Sequence, residues 1–343
     1  MQKVVRRFAV VAMLCAAFVV GAFLVHRASA ADSGDFALQI SPSPLVATFK
    51  PGTSTTLEIK IRNAGTQPED LKIAPRTFRI TDSQQLQIDD TKQPDIASWI
   101  SFSAPTFSVK PGEIYTQRVT LAVPKDAGFS YSFALMISRQ QAPLPQAGGA
   151  SLKGSVALFT LINIDRPGAN RKLEVAKFST SKGVYEYLPA EFDVDFKNTG
   201  NTIVQPAGNI FVQRGADDKT PIDTLAVNSN NGYILPGATR TLKVDWDDGF
   251  QVQRSTTNAD GTTSTHLEWN WGKLGTIRIG KYTARLVAIY NDGQRDVPVY
   301  ADVSFWVIPW KILLGMLIAF LLVAAGIWSM VSKVIGLGKR LKR

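Results

Sequence analysis

The stretch "FKPGTSTTLEIKIRNAG", residues 49–65, decides the fold class of this chain. A Pro-Gly pair opens it, apolar and polar residues then alternate, and Asn-Ala-Gly ends it. Strict alternation is the pattern of an antiparallel strand with one buried face and one wet face. The pattern therefore predicts a strand with Leu57, Ile59 and Ile61 in the core, and with Glu58, Lys60 and Arg62 in solvent.

The same phrase recurs three times along the chain. The copies are "VKPGEIYTQRVTLAVP" at 109–124, "YLPAEFDVDFKNTG" at 187–200 and "ILPGATRTLKVDW" at 234–246. They form two pairs, and each pair is followed by a strand that begins with Gly and Tyr and by a final apolar strand. The repeating unit is thus a whole domain of about seven strands. We predict an all-β chain with two immunoglobulin-like β-sandwich domains in tandem.

Three aromatic residues stand at recognisable places in these domains. Tyr131 and Tyr282 occupy the position of a tyrosine corner, or they simply fill the core. Trp99 is expected in the core of the first sandwich. The stretch 165–175 reads as a short hinge, which predicts closely stacked domains. We expect a flexible hairpin loop at 141–151 and a long polar loop at 254–273.

The net charge of +10 is confined to the two ends of the chain. Residues 1–30 and 308–343 carry ten basic residues and no acidic one, and the 28 basic residues between them balance all 28 acidic ones. A nucleic-acid binder would need its basic excess on the folded body. The charge pattern therefore argues against a nucleic-acid partner.

The first thirty residues read as a secretory signal peptide. A basic start precedes an apolar run from Phe8 to Val25, and Ala28-Ser29-Ala30 is a small-residue cleavage signal, which predicts cleavage before Ala31. An uncleaved signal anchor is the main alternative. Cys15 is the only cysteine, and a lipid anchor there is a minor alternative because Leu14 is not small. The rest of the chain has no cysteine for disulfides, which fits a bacterial surface protein.

The C-terminal end reads as a membrane anchor. Ile312 to Val331 is an uncharged run of twenty residues, about 30 Å as a helix, and a basic tail follows. The positive-inside rule places that tail in the cytoplasm and the body outside, on a single-pass protein of a bacterial cell membrane. We predict domains at 31–165 and 166–307, a transmembrane helix at 308–331 and a tail at 332–343. The expected anchors at the membrane interfaces are Trp306, Trp310, Trp328, Lys333, Lys339 and Arg340.

The sequence offers little material for catalysis. Beyond the predicted signal peptide there is one histidine, His266, in a polar stretch where solvated side chains are the rule. One histidine without a cysteine makes no zinc pattern. Asp245, Asp247 and Asp248 lack the twelfth-position Glu of an EF-hand loop and fit a solvated turn better. We expect no enzyme, no cofactor and no metal.

Trp269 and Trp271 are the residues of the second domain that most suggest a binding site. Their spacing in a strand would put both side chains on one face. We interpret them first as core residues of a strand. The alternative is an exposed aromatic platform that suits sugar rings.

The first domain resembles a known family in its turns and core positions. The stretches that carry the likeness are "ISPSPLVATFKPGTSTTLEIKIRNAG", "SWISFSAPTFSVKPGEIYTQRVTLAVPKDAG" and "YSFALMIS". They resemble the peptidoglycan-binding domain of WxL-interacting proteins, over residues 36–165. The resemblance implies an extracellular immunoglobulin-like fold, a C-terminal membrane helix and attachment to the cell wall or to a surface protein. The second domain resembles a generic bacterial immunoglobulin-like module, and no binding residue carries over.

These observations lead to one functional expectation with two alternatives. The expectation is a non-catalytic, membrane-anchored surface protein that binds peptidoglycan of the cell wall or a surface protein partner, and that contacts membrane lipid through its C-terminal helix. One alternative is a stalk or accessory subunit of a membrane-associated surface complex. The other is an assembly factor like the pilus chaperones, which also use two immunoglobulin-like domains.

Overall fold

A computed structural model describes residues 36–81, 85–89, 91–141, 154–215, 220–257 and 262–340, with side chains up to Ser332 except at position 274. The predicted signal peptide, most of the loop predicted at 141–151 and the last three residues lie outside this range. So do the side chains of Lys333, Lys339 and Arg340, whose backbone belongs to the C-terminal helix.

The first domain is a sandwich of two sheets. One sheet has the strand order β1-β3-β8-β6, and the other has the order β2-β10-β9-β4-β5 with β7 also paired to β4. The strands described here are β1 (Leu38–Ser41), β2 (Leu45–Phe49), β3 (Ser54–Asn63), β4 (Glu69–Ile80), β5 (Leu86–Asp89), β6 (Ile100–Phe102), β7 (Thr106–Val109), β8 (Ile114–Ala122), β9 (Ser130–Arg139) and β10 (Ser155–Ile164).

The second domain repeats this plan and ends in the only helix longer than two turns among the described residues. Its sheets have the orders β11-β13-β16 and β12-β20-β19-β14-β15, and β17 and β18 form a separate hairpin. The elements are β11 (Leu173–Thr180), β12 (Val184–Tyr185), β13 (Ala190–Asn198), β14 (Ala207–Arg214), β15 (Asp223–Val227), β16 (Thr239–Trp246), β17 (Gln251–Thr257), β18 (Thr263–Trp269), β19 (Gly280–Asn291), β20 (Asp296–Val307) and α1 (Trp310–Arg340).

The all-β prediction with two immunoglobulin-like sandwiches and one C-terminal helix is confirmed. Ile59 and Ile61 are fully buried and Leu57 is half-buried, while the three charged residues between and after them are exposed. The expected number of about seven strands per domain was too low. Short strands such as β5, β6 and β7 were missed because three or four residues carry too little alternation to be recognised.

The four recurring phrases form one paired unit in each domain. β3 pairs with β8 and β13 pairs with β16, both antiparallel. Each domain has its own buried apolar cluster, one running from Leu45 to Ile164 and the other from Leu173 to Val307. The phrases therefore supply paired strands to two separate cores.

The asparagine at the end of each first phrase is a buried brace. Asn63 is fully buried, and its side-chain amide donates to the carbonyls of Gln67 and Val109 at 2.7 and 3.0 Å. Its Oδ1 accepts from the N–H of Gly65 at 2.9 Å. A buried side chain that satisfies three backbone groups fixes the corner between β3 and the following turn.

Asn198 reproduces this brace in the second domain. It is fully buried, donates to the carbonyls of Thr202 and Ile234 at 2.8 and 2.9 Å, and accepts from the N–H of Gly200 at 3.0 Å. The sequence pattern identified both asparagines only as turn residues. The Pro-Gly leaders meet the same corners, because the N–H of Gly112 and of Gly237 donates to the backbone carbonyl of Asn63 and of Asn198.

Tyr131 and Tyr282 have different roles: Tyr131 forms a tyrosine corner, and Tyr282 fills the core. The hydroxyl of Tyr131 accepts from the N–H of Gly128 at 2.6 Å, as in a tyrosine corner, and its ring packs edge-on against the half-buried Trp99. Tyr282 instead lies in the core of the second domain, between the rings of Trp246 and Phe305. Each domain thus fills this position in its own way.

The two domains meet through polar contacts around the hinge. Asn163, the penultimate residue of β10, accepts from the N–H of Ile203 at 3.0 Å. The hydroxyl of Ser130 donates to the carbonyl of Asn201 at 3.1 Å, and the Asn201 side chain donates to the carbonyl of Gly168 at 2.9 Å. These contacts connect the end of β10, the start of β9 and the hinge to the second domain.

The region 254–273 is not the long polar loop that its composition suggested. Residues 251–257 and 263–269 pair as an antiparallel hairpin, β17 with β18, over seven residue pairs. The strands are rich in Ser, Thr and charged residues because both faces of most of the hairpin are exposed. A strand without a buried face has no apolar alternation, so the pattern could not reveal it.

Candidate binding surfaces and membrane anchor

The first surface is the outer edge of β10 in the first domain. β10 pairs with β9 along its length, but its other edge pairs with β2 only from Thr160 to Ile164. Within the described part of the chain, no strand pairs with residues 155–159 on that side. These five residues present an open edge of about 17 Å, the length of an ordinary strand.

The open edge differs in burial from the paired part of β10. Leu158 faces the core and is fully buried, so by strand alternation Ala157 and Phe159 face outward, and both are half-buried. The Phe159 ring packs edge-on against Phe78 with centroids 5.2 Å apart. The outer face beside the edge is therefore apolar, while backbone groups along the edge itself are available for hydrogen bonding.

The equivalent strand of the second domain, β20, also has an unpaired stretch, from residue 296 to residue 305, but a strand of the opposite sheet lies close to β20. β20 pairs with β12 at Trp306 and Val307 only, but β11 lies alongside β20. Among the described strands of the first domain, β1 makes no comparable approach to β10. The unpaired stretch is thus part of the repeated plan, and the first domain differs in that β1 does not lie close to its final strand.

The second surface is an aromatic cluster at the base of the β17–β18 hairpin. The rings of Trp269 and Trp271 lie within 19° of parallel with centroids 6.4 Å apart. Both pack edge-on against the buried ring of Phe250, at 5.4 and 5.3 Å. Trp269 is 43% exposed and Trp271 is 72% exposed. The interpretation of these residues as core positions is therefore wrong.

The position of Trp271 explains the error. Trp269 ends β18, but Trp271 begins a short 3-10 segment, Trp271–Thr276, so the two residues do not share a strand face. Phe250 is the core residue of this cluster, and it stands under the indoles as a support. The structure thus brings Trp269 and Trp271 together as an exposed aromatic pair.

Ion pairs brace the turn next to this pair. Asp248 accepts from Lys273 at 2.6 Å and from Arg278 at 2.5 Å. Burial alone would raise the pKa of Asp248, but hydrogen bonds from these two cations more than offset it and lower that pKa. The Arg278 guanidinium also lies over the Trp246 ring at 5.6 Å, which ties the turn to the core.

The C-terminal helix is joined to the second domain by a short junction with polar contacts on both sides. The strand β20 ends at Val307, and only Ile308 and Pro309 separate it from α1. The N–H of Ile308 donates to the carbonyl of Tyr185 at 2.8 Å. In the first turn of α1, Lys311 pairs with Glu186 at 3.0 Å. Burial, followed by a hydrogen bond with Glu186, raises the pKa of the neighbouring Tyr187.

The helix itself is long and apolar enough to cross a membrane from Trp310 to Ser332. The helix continues to Arg340, so residues 333–340 of the predicted tail prolong it beyond the candidate span. Trp306 lies near the end of β20, shortly before the helix, and is 45% exposed. Trp310 and Trp328 are exposed at 54% and 76%.

The residues considered for chemistry stand apart from one another. His266 is exposed in β18, where it faces a groove of about 430 Å³ that Lys311 and Glu186 also line. No group of metal-binding side chains occurs in the described part of the chain. Asp245 lies in β16, and its pKa is raised by burial and then by the neighbouring charge of Glu191. No described arrangement pairs a nucleophile with a base.

A scan against protein-family models finds no match to this chain, and a search of curated proteins finds none either. Solved structures with a similar arrangement include a chaperone–tip subunit pre-assembly complex from the archaic Csu pili of Acinetobacter baumannii, 14% identical over 60% of this chain and 89% of that one, with a TM-score of 0.33. The Escherichia coli chaperone DraB is 12% identical over 68% and 98%, with a TM-score of 0.35.

A third similar structure is the CupB2 chaperone of Pseudomonas aeruginosa, 13% identical over 67% of this chain and 99% of that one, with a TM-score of 0.34. These values are too low to transfer a property of those proteins to this chain.

Proposed function

We propose that the chain is a non-catalytic, membrane-anchored bacterial surface protein that binds a partner protein by strand addition to the open edge of β10. The observation that carries this proposal is the unpaired edge of residues 155–159. An open strand edge offers backbone donors and acceptors in a row, and an extended segment of a partner satisfies them. The apolar ring of Phe159 beside the edge would add side-chain contacts.

The anchor supports the same proposal. The helix that begins at Trp310 would span the membrane with its basic end in the cytoplasm, and the short junction at Ile308–Pro309 would hold the second domain at the surface. The first domain then stands farther out, where its edge meets other surface proteins. An assembly factor that holds an unfinished surface protein would use the same edge, so that alternative is included in this proposal.

The test is a charged substitution on the outer face of the edge in the full-length protein. Ala157→Lys places a cation where an apolar strand would pack, and Ser101→Lys makes the matched change on β6, an edge strand of the opposite sheet. Membranes carrying each variant are cross-linked and the adducts identified by mass spectrometry. We expect one partner to be lost with Ala157→Lys and kept with Ser101→Lys. A partner that is lost with neither variant would contradict the proposal.

Peptidoglycan binding is the second candidate, and the resemblance of residues 36–165 to the peptidoglycan-binding domain of WxL-interacting proteins favours it. Purified peptidoglycan is sedimented with detergent-solubilised full-length protein. Retention of the protein in the pellet, unchanged by Ala157→Lys, would support wall binding at a surface other than the open edge. Absence from the pellet, with a known wall binder retained, would remove this candidate.

A further inference from the structure

We infer that Trp269 and Trp271 form a second membrane contact, which inserts into the lipid headgroup region beside the transmembrane helix. The occupant of this surface is the phospholipid bilayer that the helix spans. The inference rests on the proposed membrane anchoring, and it assigns to the aromatic pair a role that is independent of the open edge of β10.

Trp269 and Trp271 lie near the point where the chain passes from the second domain into the helix. Phe250, which supports both indoles, lines a small cavity together with Glu186 and Val307. Val307 is the last residue of β20, and Glu186 pairs with Lys311 in the first turn of α1. The aromatic cluster therefore lies at the end of the second domain from which the helix leaves.

The second domain ends close to the start of the membrane-spanning helix. Three Cα–Cα steps separate Val307 from Trp310, which is at most about 11 Å of chain. The headgroup region of a bilayer is about 5–8 Å thick on each side of the hydrocarbon core. With the helix in the membrane and Ile308 hydrogen-bonded to Tyr185, the base of the domain cannot rise far from the surface. The exposed indoles are thus within reach of the headgroup region.

The exposed tryptophans of the chain are confined to the second domain and the helix. Of the seven in the chain, Trp246 is buried and Trp99 is half-buried. The five exposed ones lie at the base of the second domain or in the helix, and the first domain exposes none. Trp is enriched at membrane–water interfaces because its ring is apolar and its N–H is polar. The exposed ones are Trp269, Trp271, Trp306, Trp310 and Trp328.

Other exposed apolar residues at this end extend the surface. Val184, which is adjacent to Trp306 in the parallel pair of β12 and β20, is 56% exposed. Ile277, which follows the 3-10 segment after Trp271, is 43% exposed. Apolar side chains around an aromatic pair are costly to leave in water, and the headgroup region accepts them. The base of the domain therefore has the composition of a membrane-facing surface.

Tryptophan quenching in nanodiscs tests this inference. Full-length protein is reconstituted in phosphatidylcholine brominated near the glycerol end of its acyl chains, and the bromine-quenched fluorescence is measured. Trp269→Phe/Trp271→Phe removes two of the five exposed indoles, so we expect the quenched signal to fall by about two fifths. Trp99→Phe, in the first domain, should leave it unchanged. An unchanged quenched signal in the double variant would overturn the inference.

Two controls separate the outcomes. Trp328→Phe, in the helix, should lower the quenched signal; if it does not, the anchoring itself fails, and the inference fails with it. The emission of Trp269 and Trp271 is the part of the fluorescence that the double variant loses. If soluble peptidoglycan fragments shift this emission and brominated lipid does not quench it, the pair binds sugar. That result would also overturn the inference. Phenylalanine keeps the edge-on contact with Phe250, and circular dichroism checks that each variant is folded.

Discussion

The two sandwiches share their inner strands and differ at their margins. Both contain a buried asparagine brace, a Pro-Gly leader and a final strand that is partly paired in parallel. Among the described residues, each domain leaves part of its final strand without a ladder partner on one side, but only in the second does a strand of the opposite sheet, β11, lie close to that final strand. Of the described residues, only those of the second domain form a hairpin like β17–β18 with exposed indoles at its base. The shared parts build the cores, so the function of each domain is to be sought where it departs from its copy.

The largest contrast between the domains is the environment of their tryptophans. Trp246 is fully buried against Tyr282 and Phe305, whereas Trp99 is half-buried. Trp246→Ala should lower the free energy of unfolding of the second domain by about 3–5 kcal/mol. Trp99→Ala should cost the first domain about 1–2 kcal/mol, because less area leaves the core. Urea unfolding followed domain by domain measures both, and equal losses would contradict this contrast.

The asparagine braces test the shared part of the plan. Asn63→Ala and Asn198→Ala each leave two carbonyls and one N–H without their side-chain partner. We expect each change to destabilise its own domain by about 2–3 kcal/mol. Calorimetry of the single variants should show one shifted transition in each case. A large loss at one asparagine and none at the other would break the equivalence of the two corners.

The Pro-Gly leaders should also respond alike. Gly112 and Gly237 have φ of +76° and +74°, and a Cβ at either position would meet open space. Alanine at these positions therefore adds backbone strain without a clash, at about 1 kcal/mol each. Thermal unfolding of Gly112→Ala and Gly237→Ala provides the comparison. A cost in one domain only would show that its turn differs from that of the other domain.

The smallest expected effect concerns the acidic face of the second domain. Burial, then Glu191 and Asp247, raise the pKa of Asp245, so the folded state binds this proton more tightly than the unfolded chain. Above the pKa of Asp245 in the folded state, its ionised carboxylate lowers the free energy of unfolding. As the pH falls through that pKa, Asp245 takes up a proton and this destabilisation disappears. Asp245→Asn should stabilise the second domain by up to about 0.5 kcal/mol at pH 7 and by less at low pH. A gain that does not shrink at low pH would argue against this cause.

Sequence alone predicted most of the fold because the inner strands have one wet face. The alternation around Ile59 and Phe192 marks such strands directly, and the apolar run before Val331 marks the helix. The margins escaped prediction for a physical reason. The hairpin β17–β18 has no buried face, and the open edge of β10 depends on how far β2 extends along it, which no local pattern records.

The sequence predicted some residues of the candidate surfaces but not their exposure or their contacts. The sequence singles out Trp269 and Trp271, but their exposure depends on the chain leaving the strand after Trp269, which the spacing does not show. The braces at Asn63 and Asn198 looked like turn residues, because a turn asparagine and a buried one have the same local sequence. Burial and partners are properties of the assembled sandwich.

A paired photo-cross-linking experiment tests most directly the claim that function lies where the copies differ. Ile162 is opposite Tyr131 in the first domain and Phe305 is opposite Tyr282 in the second, so Ala157 of β10 matches Tyr300 of β20. A photo-reactive phenylalanine is placed at each position of the full-length protein in living cells. We expect a partner adduct from position 157 and none from position 300. Equal adducts from both positions, or an adduct from position 300 alone, would contradict the account.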